Sequence, residues 1–267
     1  MIRSYRYLLQ MNARLGRSFE AAMAVSNQIY NAALEERISA WQKAGKSITK
    51  FDQIKSLTQV RAQDPMMSSY AVTMLRTPLT QVDEAFKGFF SRLKKGGAKA
   101  GFPRFRALKR LRSFSFTEAN GWRLKGQVLR MKGLPAVRLN MHRPIAGNPL
   151  KLTIKRDGRG RWFAIIVAKM PVVFGPVTQG VVGLDVGVEN LATDSNGMSY
   201  EKVSPYRAAQ RKNVEHALAR QKRGSRRWRQ TQKRLSRQRS READARRTRH
   251  FQLDLKLSLL RNFNFEI

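Results

Sequence analysis

The run Val181-Val182-Gly183-Leu184-Asp185-Val186-Gly187-Val188-Glu189-Asn190-Leu191-Ala192-Thr193 sets one carboxylate in an apolar stretch with glycines on either side. It reads as a buried strand, and a desolvated carboxylate is costly unless it is paired or bound to a metal. Between residues 173 and 200 stand Asp185, Glu189 and Asp194 and no Lys or Arg, in a chain of formal charge +35. Asp185 has two readings. It caps a turn or accepts backbone hydrogen bonds. Or it is the first carboxylate of an RNase H-like site, where two divalent ions held by several carboxylates activate water against a phosphodiester. Glu189 and Asp194 read as turn residues, because Asp194-Ser195-Asn196-Gly197 is a hairpin signal.

The other chemistry belongs to the cations. Lys and Arg number 53 against 18 Asp and Glu. Residues 91–172 hold 21 basic and two acidic side chains, and residues 201–267 hold 20 and six. These basic segments flank the acidic island. Aromatic residues are interleaved with them: Phe102, Phe105, Phe114, Phe116, Trp122 and Trp228. Guanidinium forks suit phosphates, and rings stack on bases or fill a core. The segments read as nucleic-acid-binding, and a polyanionic partner offsets the self-repulsion of such a charge. The absence of cysteine excludes disulfides and a thiolate zinc site, and His142, His216 and His250 stand far apart. No apolar run is long enough to span a membrane, and Met1-Ile2-Arg3-Ser4 opens no signal peptide, which predicts a cytoplasmic, nucleoid-associated protein.

The elements that must position these groups follow from periodicity. Residues 2–9 alternate as a first strand. Leu15, Phe19, Met23, Ile29, Tyr30, Ala33, Leu34 and Ile38 recur at helical spacing until Gly45-Lys46-Ser47. Asp52–Gln63 predicts a second helix, Asp64-Pro65 a stop and Ser68–Phe90 a third helix that Pro78 should kink or interrupt. Residues 94–101 read as a flexible basic linker. Strands are then expected at Ser113–Thr117, Trp122–Lys125, Val128–Met131, Val137–Met141, Leu150–Lys155 and Trp162–Ala168, and they suggest a small β-barrel that the first strand completes. The helical part is then an insertion between strands. Residues 179–203 read as a β-meander with a hairpin from Leu191–Ser195 to Met198–Val203. A basic helical stretch follows Pro205 and breaks at Gly224-Ser225. Trp228 and Leu235 lie two turns apart, Phe251, Leu255 and Leu259 continue an apolar face, and Asn262–Ile267 begins another strand. The fold class is α+β. The 267 residues, 42% hydrophobic, suffice for one large or two to three small domains.

In this order the pieces resemble the N-terminal two-thirds of the transposon-encoded TnpB proteins, ancestors of the type V CRISPR effectors. The matching stretches are Ile2-Arg3-Ser4-Tyr5-Arg6-Tyr7-Leu8-Leu9, Ile29-Tyr30-Asn31-Ala32-Ala33-Leu34, Val82-Asp83-Glu84-Ala85-Phe86-Lys87-Gly88-Phe89-Phe90 and Gly101-Phe102-Pro103-Arg104-Phe105. Gly183-Leu184-Asp185-Val186-Gly187, Asn190-Leu191-Ala192-Thr193 and the arginine-rich stretch after Gly224 complete the set. The resemblance implies an oligonucleotide-binding wedge barrel (residues 1–9 and 94–175), an inserted helical recognition lobe (10–93) and a partial RuvC domain with an arginine-rich helical insertion (178–267). It implies a transposon-end guide RNA, double-stranded target DNA beside a short motif, and Mg2+ at the intact family site. Base pairing would read the target while the protein reads the motif. Asp185 matches the first RuvC acid, as catalyst and metal ligand. Phe51, Thr73, Arg76, Thr77 and Thr117 align near the motif-reading positions. Arg104, Arg106, Lys109, Arg110, Arg112, Arg226, Arg227, Arg229, Lys233, Arg234 and Arg237 are the other expected nucleic-acid contacts.

The chain departs from the family pattern in three ways. It has no zinc-ribbon cysteines, its last residues only begin the strand of the second acid, and Glu266 stands a few residues early for that acid. One carboxylate does not hold two ions, so the chain, read as C-terminally truncated, is expected not to cleave DNA. Two alternatives stay open: a nuclease-dead RNA-guided repressor and an unguided basic RNA-binding protein.

Overall fold

The computed structural model describes residues 1–95, 101–171, 183–187, 189–201 and 208–263. It divides into two compact units, residues 1–157 with 161–172, and residues 158–160 with 173–267.

The first unit is built on a seven-stranded antiparallel sheet. Its strands are β1 (Ile2–Leu9), β2 (Ser113–Phe116), β3 (Trp122–Lys125), β4 (Val128–Met131), β5 (Leu134–Asn140), β6 (Asn148–Arg156) and β7 (Trp162–Lys169), in the order β2-β6-β7-β1-β5-β4-β3. The end strands β2 and β3 are neighbours in the chain. From Phe116 to Trp122 the backbone reaches at most about 22 Å. A flat sheet would hold the end strands about 29 Å apart. The sheet is therefore curled into a nearly closed barrel. Tyr5, Tyr7, Phe114, Phe116, Leu129, Leu139, Leu152, Ile154 and Ile166 fill its inside. β5 starts three residues earlier than its alternation predicts, at Leu134, and Pro135 is tolerated where the β4–β5 register shifts.

Between β1 and β2 the chain forms α1 (Ala13–Ala44), α2 (Lys50–Gln63), α3 (Pro65–Ser69) and α4 (Val72–Lys94). Asn12 caps α1 by accepting from the Leu15 N–H at 2.8 Å, and Thr49 with Asp52 forms a capping box for α2. Asp64 stops α2 as expected, and its carboxylate also accepts from Met66 N and Met67 N to start α3. The single helix expected over Ser68–Phe90 is thus two, parted at Tyr70-Ala71. Pro78 does not interrupt α4. The helix is buried at Thr73, Met74, Leu75, Thr77, Pro78, Leu79 and Val82. That burial outweighs an interior proline's cost of about 3 kcal/mol. The helices share one hydrophobic core with the barrel.

A polar network ties α1, α2 and α4 together. Buried Gln53 donates to Ala33 O (2.8 Å) and Glu36 Oε2 (2.7 Å) and accepts from Arg37 Nε (2.9 Å). Asp83 meets Arg37 at 3.4 Å and Lys87 at 3.0 Å. Burial alone would raise the Asp83 carboxyl, but the hydrogen bonds and charges of Lys87 and Arg37 hold it below its ordinary value of 3.8. A depressed carboxyl contributes stability that is present above its unfolded pKa and is lost as pH falls through the folded one. The melting temperature should therefore drop more steeply below pH 3.8 in the wild type than in Asp83→Asn, read by circular dichroism. Parallel curves would remove Asp83 from the acid response.

The second unit has a three-stranded antiparallel sheet in the order β10 (Ser199–Tyr200), β9 (Ala192–Asp194), β8 (Leu184–Asp185). It also holds α5 (Ala208–Arg220) and α6 (Arg226–Phe263). Among the described residues the long buried strand expected around Asp185 is not seen. Of that stretch, β8 is described over two residues, both exposed and paired on one side with β9. Residues 181–182 and 188 of that stretch lie outside the described residues. The strand expected from Asn262 is helix through Phe263, and residues 264–267 lie outside the description.

Candidate nucleic-acid interface

α5 and α6 pair antiparallel across the turn at Gly224, where Ser225 Oγ caps α6 by accepting from Trp228 N (3.1 Å). Val214 and Leu235 are buried in the seam. Arg211 meets Glu242 at 3.1 Å and Arg239 meets Glu215 at 2.9 Å, which fixes the register. This packing consumes one side of α6. On the opposite side Arg226, Lys233, Arg237 and Arg241 recur at intervals of seven, four and four residues, all exposed. The stripe is about 22 Å long. Exposed Arg227, Arg229 and Arg234 flank it. Among the described residues no ion pair involves any of these seven cations. Such a row is suited to track a phosphate backbone. The Phe251-Leu255-Leu259 face is not a buried one at its start, since Phe251 is exposed, and the other two side chains lie outside the described residues.

In the first unit the candidates divide. Arg104, Arg110 and Arg112 are exposed, and the Lys109 side chain lies outside the described residues. Arg106 is used internally. Its guanidinium lies 3.6 Å from the Tyr30 ring centroid and donates to Gln81, while its backbone bonds Asn27 and Asn31 of α1. Phe51 is exposed, Thr117 half-exposed, and Arg76 half-buried with its Nε enclosed. The expectation of base contacts at Thr73 and Thr77 does not fit their burial. Thr73 donates to Asn120 O at 2.7 Å, and Thr77 to Thr73 O and Ser115 O at 2.9 Å each. These hydroxyls hold α4 to the barrel. A further group was missed in the sequence. Arg123 on β3 stands directly opposite Arg130 on β4, and Arg138 on β5, opposite Val128, shares their outer face; all three are exposed. Like charges in direct cross-strand register are destabilising without an anion between them. The alternation of Arg with Trp122, Leu124, Leu129, Met131, Val137 and Leu139 was the available signal.

Asp185 stands opposite Thr193, and Thr193 opposite Ser199, so the three share the open face of the small sheet. The other face is occupied by Ala192, Asp194 and Tyr200, all buried. Asp194 is the turn residue its motif predicts: its carboxylate accepts from Asn196 N (3.0 Å), Met198 N (2.9 Å) and Tyr200 Oη (3.1 Å). Burial, then that hydrogen bond, raises the Tyr200 hydroxyl above its ordinary value and keeps it a donor. One exposed carboxylate with two hydroxyls does not fit a pair of Mg2+ ions, which need several carboxylates. Among the described residues no cluster of three His, Cys, Asp or Glu could hold a metal.

No protein-family model matches the chain. Two curated relatives do, each 29% identical. One, from Streptomyces pristinaespiralis, is named as an RNA-guided DNA endonuclease and matches over 191 residues, 69% of this chain and 45% of the relative. The other is InsQ of Escherichia coli K12, a TnpB under the same name, over 179 residues, 65% of this chain and 42% of the relative. These likenesses support a TnpB-family assignment. The match spans less than half the length of both relatives. A cryo-EM structure of a Cas12f1–sgRNA–target DNA complex aligns at 14% identity with a TM-score of 0.42, covering 83% of this chain and 62% of that one. No described helix is long and apolar enough to cross a membrane.

Proposed function

We propose that this chain binds a guide RNA and, through it, double-stranded DNA beside a short motif. Residues 1–9 and 94–175 act as the wedge barrel, 10–93 as the recognition helices, and the part from 178 as a RuvC-type domain. The observation that carries the nucleic-acid reading is the α6 stripe, whose cations face away from the α5 seam. The guided character is supported by the two relatives, each named as an RNA-guided DNA endonuclease. Phosphate contacts position the duplexes, and base pairing supplies the sequence specificity. Asp185 takes the place of the first family acid, and Mg2+ belongs to the intact family site. The donor set around Asp185 supports binding without strand cleavage by these 267 residues.

The test is to sequence the RNA that co-purifies with the protein and measure DNA binding with and without it in Mg2+. The expected result is one enriched RNA species, DNA affinity that depends on it, and uncut DNA. Equal DNA affinity without the RNA would overturn the guided reading. Cleavage that Asp185→Ala abolishes would overturn the assignment of binding alone.

A further inference from the structure

Past Val82 the apolar face of α4 runs on beyond the core. Phe86, Phe89, Phe90 and Leu93 recur at helical spacing, and only Phe86 packs against the main cluster. Phe102, from the loop after the helix, folds back onto them. Its ring meets Phe86 edge-on at 5.6 Å and Phe89 at 5.2 Å, and Phe90 lies 5.2 Å from Phe89. Arg92 holds that loop by donating to Gly101 O at 3.2 Å. Phe90 is still 54% exposed, Leu93 50% and Phe102 48%. Among the described residues 32 are buried in one hydrophobic core, while this aromatic cluster stays open to solvent.

The cations near it in the chain decide what could cover it. Lys94, Lys95 and Arg104 are exposed, and among the described residues none is in an ion pair; Glu84 is the one exposed acid nearby on α4. A second copy of the chain would bring the same cations against each other at a formal charge of +35 per chain. A base has an apolar π face tethered to a phosphate, so it satisfies both the rings and the charges. In a duplex those faces are already stacked. We propose that Phe90 and Phe102 form a stacking platform for unpaired nucleotides, with Lys94, Lys95 and Arg104 as phosphate partners. The proposal rests on the nucleic-acid reading above and adds a single-strand subsite to it.

The test uses the full 267-residue chain, a labelled single-stranded oligoadenylate and a blunt duplex of equal length. Phe90→Ala/Phe102→Ala should weaken single-strand binding on the order of tenfold or more, as lost base–aromatic stacking does. Duplex affinity should stay within about twofold, and the slope of log K against log salt should not change, because no phosphate contact is lost. Phe90→Leu, which keeps an apolar side chain without the π face, should weaken single-strand binding like Phe90→Ala, and Phe90→Trp should keep it. Those single variants change one exposed side chain and carry the test if the double variant melts early. Unchanged single-strand affinity, or equal loss for both probes, overturns the platform. A wild-type dimer that Phe90→Ala dissociates overturns it in favour of self-association. Failure of the wild type to bind either probe instead overturns the nucleic-acid reading itself.

Discussion

Replacing Arg226, Lys233, Arg237 and Arg241 together with glutamine should weaken duplex binding on the order of 10³-fold at about 0.15 M salt. Each cation that meets a phosphate releases condensed counterions. The slope of log K against log salt is then about −0.9 per contact on duplex DNA, so four contacts account for a change in slope of about 3.6. Carried from about 1 M, where this contribution vanishes, to physiological salt, that slope change gives the three decades. Glutamine has nearly the helix propensity of arginine and lysine and stays polar, so α6 should stay folded. Arg239 provides the contrast. It faces the seam and meets Glu215 at 2.9 Å. The hydrogen bond from Arg239, more than the other nearby charges, holds the Glu215 carboxyl below its ordinary value. Arg239→Gln should loosen the helix pair and leave the salt slope nearly unchanged. If the fourfold variant binds with the wild-type slope, the stripe is a solvated face and the phosphates lie elsewhere.

Gly133→Ala should lower the stability of the first unit by about 3 kcal/mol, and its melting temperature by about 6–12 °C. Gly133 sits in the turn between β4 and β5 with φ +82°. An added Cβ would lie 2.6 Å from Ser69 O and 2.9 Å from Tyr70 Cα. Both are backbone atoms at the α3–α4 junction, so no side chain can swing aside. The cost combines a left-handed conformation that alanine resists with displacement of the helical insertion from the barrel. Gly126 isolates the first part, because at φ +55° its Cβ would meet nothing within 4 Å. Gly126→Ala should cost about 1 kcal/mol, the lower end of the left-handed penalty. Equal melting temperatures for the two variants would show that the close approach at Ser69 carries no weight.

The strands were legible because each carries its own signal. Trp122-Arg123-Leu124-Lys125 alternates, and glycine-containing turns bound it, so its limits follow from four or five residues. The barrel's strand order was not legible. β1 pairs with β7, from Ile2 opposite Lys169 to Leu8 opposite Phe163. Nothing local to either strand encodes a partner so distant, because register is set by burial of one face of the whole sheet. Thr73 and Thr77 show the same limit. Their alignment near motif-reading positions is a statement about the chain, whereas their hydroxyl partners Asn120 and Ser115 come from the barrel side.

The apolar neighbours of Asp185 predict a buried carboxylate. Burial needs a layer over the face that carries it, and among the described residues Asp185 lies on the open face of the small sheet, on a strand paired on one side.

By itself the sequence determined the two basic segments, the acidic island between them and the order of motifs that resembles the TnpB family. These are properties of composition and spacing, which any fold of the chain keeps. Only the tertiary structure decided which groups are presented. A helix distributes Arg226 to Arg241 around its whole circumference, and the α5 seam at Leu235 chooses the side that stays open. The same physics leaves Phe90 and Phe102 in solvent: α4 is longer than the core it packs on, and an apolar side chain is buried only where another surface reaches it.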